Sequence, residues 1–197
     1  MSAPAKQTVT VETTPAPKPG RVRGFVRWAE RLLAVIGLCF VLYHLCFELT
    51  VMTSDSMAPT LSGTSYQNGD RILLEKITGR LRAPKRWEIY FYYDNDGNPV
   101  AKRIVGLPGE EISITNNQLC INGTPLARPK ELQFINYFGY GSLASGRKVN
   151  CGQGYFTLGD ASVDSYDSRY TGVVTRERFR GRVLCILSPR AHRCFVK

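Results

Sequence analysis

Three regimes of hydrophobic and polar residues follow one another along the chain. Residues 1 to about 20, MSAPAKQTVTVETTPAPKPG, are rich in Pro, Thr, Ala and Lys and hold almost no large apolar side chain. Such a segment buries too little apolar surface to offset the entropy of ordering it, so residues 1–27 read as a disordered basic tail. From Trp28 to Met52 the pattern turns almost continuously apolar. Its densest part, Leu32 to Val51, has the ~20 residues that a helix needs to cross a ~30 Å hydrocarbon core. His44 and Glu48 interrupt it, four apart, a spacing that puts both on one helical face. Residues 53–197 then alternate short β-prone runs with turn signals such as Gly-Asp, Asn-Asp-Gly, Leu-Pro-Gly and Asn-Gly. The predicted strands are Asp70–Ile77, Trp87–Tyr93, Pro99–Gly106, Glu111–Ile114, Gln118–Ile121, Gly154–Leu158 and Arg182–Ser188. One short helix is predicted at Thr175–Phe179. The expected fold is mainly β: an antiparallel sheet domain preceded by one transmembrane helix.

Charge orients this layout. The chain carries +10 at neutral pH. Within residues 1–31, Lys6, Lys18, Arg21, Arg23, Arg27 and Arg31 outnumber Glu12 and Glu30. A basic flank holds its side of a membrane helix in the cytoplasm, which places residues 53–197 outside. The apolar run exceeds the ~7–15 residues of a cleaved signal sequence and no A-x-A-like site follows, so residues 28–52 read as an uncleaved anchor. No arginine-rich helix or aromatic RNA-binding signature accompanies the basic charge, and nucleic acid is not an expected partner.

Composition narrows the chemistry. Two histidines, His44 and His192, leave little material for a Ser-His-Asp triad or a His-based zinc site. The six cysteines show no C-x-x-C spacing, and no metal or cofactor is expected. Cys39 and Cys46 belong to the apolar segment, while Cys120, Cys151, Cys185 and Cys194 would face an oxidising compartment. Cys185 and Cys194 flank the Ser188-Pro189-Arg190 turn and could close a hairpin; sequence does not set the connectivity.

Three patches carry candidate chemistry. The first, Thr53-Ser54-Asp55-Ser56-Met57-Ala58-Pro59-Thr60-Leu61, directly follows the apolar segment. Pro59 disfavours the helical region for Ala58, so an extended or turned backbone can present a hydroxyl. A serine still needs a base. Lysine is the remaining candidate, and must be neutral to accept a proton; burial lowers its ordinary value of ~10.4. In the second patch, Val100 to Gly109, strand alternation puts Lys102 on one face with Val100 and Ile104, and Arg103 on the other with Ala101 and Val105. An edge lysine in solvent is the plain alternative, and Lys76 and Lys85 compete for the role. The third, Leu158 to Tyr170, is a polar loop with three aspartates that lacks EF-hand spacing.

In this order the patches resemble the bacterial type I signal peptidases, or leader peptidases. The resemblance runs from Ser54 to about Val183. It rests on Ser56-Met57-Ala58-Pro59-Thr60-Leu61, on Asn68-Gly69-Asp70-Arg71, on the K-R-x-x-G-L-P-G box at Lys102–Gly109, and on Gly159-Asp160 with Asp167-Ser168-Arg169-Tyr170. It implies that Ser56 is the nucleophile and Lys102 the general base. Ser54 would help the Ser56 N–H hold the oxyanion, and Ser165 would orient the lysine. Asp160 with Arg103, and Asp167 with Arg169, would be structural ion pairs. The implied substrates are signal peptides of exported preproteins with small residues at the first and third positions before the cut. The implied location is the cytoplasmic membrane. Ala161 and Val163 depart from the family's polar run, and Asp55 stands where some members have glycine. The segment between Gly109 and Cys151 is short for the family, so the inserted lobe, around residues 110–153, must be small. A dedicated pilin-maturation peptidase of a conjugative transfer system is an alternative within the same chemistry. A non-catalytic, membrane-anchored binding domain is an alternative outside it.

Overall fold

The computed structural model describes residues 21–188 and 191–194, with side chains for residues 23–187. The chain divides into two compact units between Leu42 and Tyr43. Helix α1, Arg21–Cys46, crosses that point. Over Arg23–Cys46 it is long and apolar enough to span a membrane. Its large side chains, among them Phe25, Leu33, Leu38 and Phe40, are exposed. A helix that shows apolar residues on all sides is suited to lipid rather than water.

The helix boundaries differ from the sequence expectation at both ends. Residues 21–27, assigned to the tail, are helical; residues 1–20 lie outside the described residues. The helix stops at Cys46, and Phe47–Val51 forms strand β1 instead. Glu48 therefore does not share a helical face with His44. Phe-Glu-Leu-Thr-Val alternates and includes two β-branched residues, and the strand β2, Arg71–Glu75, supplies it with a complete antiparallel register from Phe47↔Glu75 to Val51↔Arg71. Glu48 then lies 3.7 Å from both Lys76 and Arg180.

The remaining strands are β3 Ile89–Tyr93, β4 Pro99–Gly106, β5 Glu111–Thr115, β6 Gln118–Ile121, β7 Thr124–Pro125, β8 Val149–Asn150, β9 Phe156–Leu158, β10 Phe179–Ser188 and β11 Ala191–Cys194. Seven form one antiparallel sheet in the order β1-β2-β10-β3-β4-β9, with β11 on β10. The other four form a small sheet, β7-β6-β5-β8. The predicted strands all exist, Pro99–Gly106 and Gln118–Ile121 with the predicted bounds and the others with trimmed or extended ends. The short β7, β8 and β11 were not predicted. At Thr175–Phe179 the structure has a single 3-10 turn, Arg176–Arg178, which leads directly into β10. The β10–β11 register sets Cys185 opposite Cys194; the side chain of Cys194, and with it the pairing expected from sequence, lies outside the described residues.

Three apolar clusters hold the sheets, the smallest of them Tyr90, Ile104 and Tyr155. Met52, Met57, Leu61, Ile72, Phe91 and Ala101 pack on one side of the large sheet. Val105, Ile112, Ile114, Leu143 and Phe156 join the small sheet to the end of β4. Covering from both sides explains why every residue of β4 from Ala101 to Gly106 is buried. The loop between β1 and β2 folds back on Met52. Gly69 lies so close that a Cβ would collide with the Met52 carbonyl, which accounts for the glycine of Asn68-Gly69-Asp70.

Candidate active site

The loop after β1 and the middle of β4 bring together the serine and lysine singled out from sequence. Lys102 Nζ donates to Ser56 Oγ at 2.6 Å. The Ser54 and Ser56 hydroxyls are 3.1 Å apart. Ser56 and Lys102 are buried, while Ser54 is exposed. Asp55, between the serines, accepts from the Gly63 N–H at 2.9 Å and so ties the loop across its base. Buried apolar residues follow at Met57 and Leu61. They anchor the turn in the core and leave the hydroxyls at its edge.

Lys102 reaches the serine from a strand interior, with half-buried Val100 and buried Ile104 on its own face and Tyr90 directly across on β3. Burial pushes its ammonium down from an ordinary 10.5 to about 8. Asp167 opposes that effect, Arg169 adds to it, and Asp160 opposes it. Desolvation wins because only 2% of the residue is exposed. A lysine in this state is neutral for an appreciable fraction of the time near neutral pH and can take a proton from a hydroxyl.

Two buried ion pairs brace this region. Arg103, next to Lys102, grips Asp160 with Nε and Nη2 at 2.8 and 2.7 Å. Its Nη1 donates to the Trp87 carbonyl at 2.7 Å. The residue following the aspartate closes the link to the serine, since the Ala161 N–H donates to the Ser56 carbonyl at 3.1 Å. Arg169 holds Asp167 in the same two-pronged way, at 2.8 Å for both bonds. Asp167 also accepts from the Gly159 N–H at 3.0 Å. Such forked pairs fix side chains in direction as well as distance.

The resemblance gives Ser165 the role of orienting the lysine. Ser165 is buried beside Gly159, but among the described residues its Oγ makes no hydrogen bond, so the structure shows no Ser165–Lys102 bond. The backbone places it close by through tight packing: a Cβ at Gly159 would collide with Ser165 Oγ and the Ser56 carbonyl. Gly159 is thus a site residue that sequence reading quoted without assigning a task. Thr60 is a second, donating to Asp160 Oδ2 at 2.5 Å. Its place in the Ser56–Leu61 box was the available signal. Tyr137, 3.5 Å from Asp160 Oδ1, comes from the small lobe and had no signal at all.

Residues 25–188 match the family described as signal peptidase, peptidase S26. The chain belongs to that family. The matched span contains every site residue above. The chain is 36% identical over 149 residues to a Synechocystis protein named "Probable signal peptidase I-2", covering 72% of this chain and 63% of that protein. A signal peptidase I of Leptolyngbya laminosa is 31% identical over 72% of this chain and 69% of its own length. A crystal structure of a signal peptidase I from Enterococcus faecalis aligns with 52% of this chain and 97% of its own, at 32% identity and a TM-score of 0.43. The chain thus spans somewhat less than two thirds of the Synechocystis relative. The S26 family is one of serine peptidases, a class of hydrolases.

Proposed function

We propose that this chain is a membrane-anchored endopeptidase that removes N-terminal signal peptides from exported preproteins through a Ser56–Lys102 dyad. The observation that carries this reading is the 2.6 Å contact between a buried lysine and a serine hydroxyl. Ser56 Oγ attacks the scissile carbonyl while neutral Lys102 takes its proton. The oxyanion is held by the Ser56 N–H and the Ser54 hydroxyl. Lys102 passes the proton to the leaving amine, and water then hydrolyses the acyl-enzyme. Ser165 packs the wall beside Gly159, and the Arg103–Asp160 and Arg169–Asp167 pairs keep the loop and β4 in register.

Strand pairing supports an extended peptide substrate. β4 pairs with β9 through Arg103, Ile104 and Gly106, whereas among the described residues Pro99–Lys102 pairs only with β3. Its other edge can accept a peptide strand by strand addition. The proposed substrates carry small residues at the first and third positions before the cut, as the family resemblance implies. Helix α1 would anchor the chain in the bilayer, its basic flank in the cytoplasm and residues 53–197 outside. Protease added to intact spheroplasts should digest the β-domain; protection until lysis would reverse this orientation.

Purified full-length protein in detergent should cleave a preprotein, and Ser56→Ala should abolish cleavage while folding is retained. Sequencing the new N-termini produced from a mixed exported proteome separates general use from dedicated pilin maturation. Ser54→Ala should lower kcat by roughly 10²–10³ with little change in KM, since the donor is needed where negative charge develops. An unchanged kcat would assign the oxyanion to another group.

A further inference from the structure

A second concave region lies within the β-domain, built from residues that the dyad does not use. It is a cleft of about 650 Å³ at the end of β2, the short helix Thr78–Leu81 and the start of β10. Lys76, Arg80, Arg176 and Arg180 line it, against one lining carboxylate, Glu177. Glu48, 3.7 Å from both Lys76 and Arg180, offsets part of this charge from the side. Positive charge nonetheless predominates. Arg176 is fixed in place, its guanidinium donating to the carbonyls of Gly79, Arg80 and Arg82 at 2.8, 3.4 and 3.0 Å. These bonds satisfy carbonyls that would otherwise repel an anion.

The wall of the cleft also holds a polar group without a protein partner. Tyr90 is fully buried, lines the cleft, and its hydroxyl makes no hydrogen bond among the described residues. The hydroxyl lies 3.8 Å from where a Gly79 Cβ would be, at ordinary van der Waals distance. A buried, unpaired hydroxyl is unfavourable unless something supplies the missing partner. Burial pushes the Tyr90 phenol up to about 12, so it remains a donor at working pH. A fixed guanidinium, three further cations and a buried O–H donor together suit a compact oxyanion.

We propose that this cleft binds a phosphate group, with Tyr90 donating to a phosphate oxygen and Lys76, Arg80, Arg176 and Arg180 supplying the charge. Two sources share this chemistry: free inorganic phosphate, and the headgroup phosphate of an anionic phospholipid. The second has a positional argument. Lys76 donates to the His44 carbonyl at 2.8 Å, so one wall of the cleft is tied to the chain where it leaves the apolar segment.

The test uses the full-length protein in a neutral detergent and a phosphate-free buffer. Inorganic phosphate is titrated in one arm and water-soluble dihexanoyl phosphatidylglycerol in the other, with dihexanoyl phosphatidylcholine as the uncharged-headgroup control. Binding is read by calorimetry and by the ligand-dependent rise in Tm. Saturable binding of inorganic phosphate points to the free ion; binding of phosphatidylglycerol but not phosphatidylcholine or free phosphate points to lipid. Tyr90→Phe should weaken that binding about ten-fold or more, the usual effect of losing one hydrogen bond to an anion. Without ligand the same variant should be at least as stable as the parent, because it deletes an unpaired hydroxyl, so misfolding does not confuse the reading. Arg80→Gln with Arg180→Gln should weaken binding further, while Lys130→Gln with Lys148→Gln, two exposed charges of the small lobe, should not. Three results would each overturn the proposal: no saturation in either arm, unchanged binding by Tyr90→Phe, or equal loss in the two charge-deleted pairs.

Discussion

Lys102→Arg protein should fold and yet cleave no preprotein, with kcat/KM lower by roughly 10⁴–10⁶, as when one member of a nucleophile–base unit is lost. The guanidinium keeps its proton at any working pH, so charge is preserved and basicity is not. In the parent enzyme kcat/KM should rise with pH along a limb centred near the free-enzyme value of about 8. The direction follows from the neutral amine being the active form, which accumulates above that value. A double variant, His44→Ala with His192→Ala, should keep the same limb. A limb that disappears with the histidines, or a Lys102→Ala enzyme of near-normal rate, would sink the dyad.

The same lysine should be a liability for stability. In the unfolded chain it holds its proton up to about 10.5, whereas in the folded protein it releases it near about 8. Between those values the unfolded state binds more protons, so stability rises with pH. Below about 8 the full penalty applies, roughly 3 kcal/mol from the difference between the two values. Lys102→Met should therefore be inactive and more stable at pH 7, with the gain fading as pH rises towards 10.5. Thermal unfolding at pH 7 and pH 10 measures both halves. A destabilised Lys102→Met at neutral pH would mean that the charge is better solvated than its burial indicates.

Asp160→Ala should be the most destabilising change at the site. It leaves the Arg103 guanidinium, wholly buried, without its carboxylate, and a buried charge stripped of its partner costs about 3–5 kcal/mol. Thr60 and Tyr137 lose their acceptor at the same time. For a chain of this size each kcal/mol corresponds to about 2–4 °C, so Tm should fall by roughly 6–20 °C. Removing both charges, Arg103→Met with Asp160→Leu, should cost less than Asp160→Ala alone. Unfolding in a Ser56→Ala background avoids autolysis. Additive losses in that cycle would show that the two side chains do not act as a pair.

Much of the architecture was legible from the chain because it is written locally. Alternation and turn residues located β3 to β6 and most of β10, since a strand half-buried or bounded by Gly and Asn carries that record in its own few residues. The apolar segment declared itself by length. The serine and lysine could be narrowed by chemistry alone: two histidines left lysine as the base. Their meeting could not, because Ser56 and Lys102 are 46 positions apart and only the return of the β1–β2 loop onto β4 closes the 2.6 Å gap.

Tertiary structure decided what local pattern leaves ambiguous. Phe47–Val51 continues the apolar segment without a break, and its alternation became a strand because β2 supplies a complete register of partners. Alternation on β4 predicted one face for Lys102 and another for Arg103, but not that two layers would bury both. Thr60 meets Asp160 across 100 positions, and Lys76 shares a cleft with Arg180 through β2 and β10. Ser165 comes to lie beside Gly159 with its hydroxyl unbonded, although its motif implied a bond. Motif spacing records which side chains are present; where their atoms come to rest depends on pairing between distant strands, whose free energy is shared across the whole core.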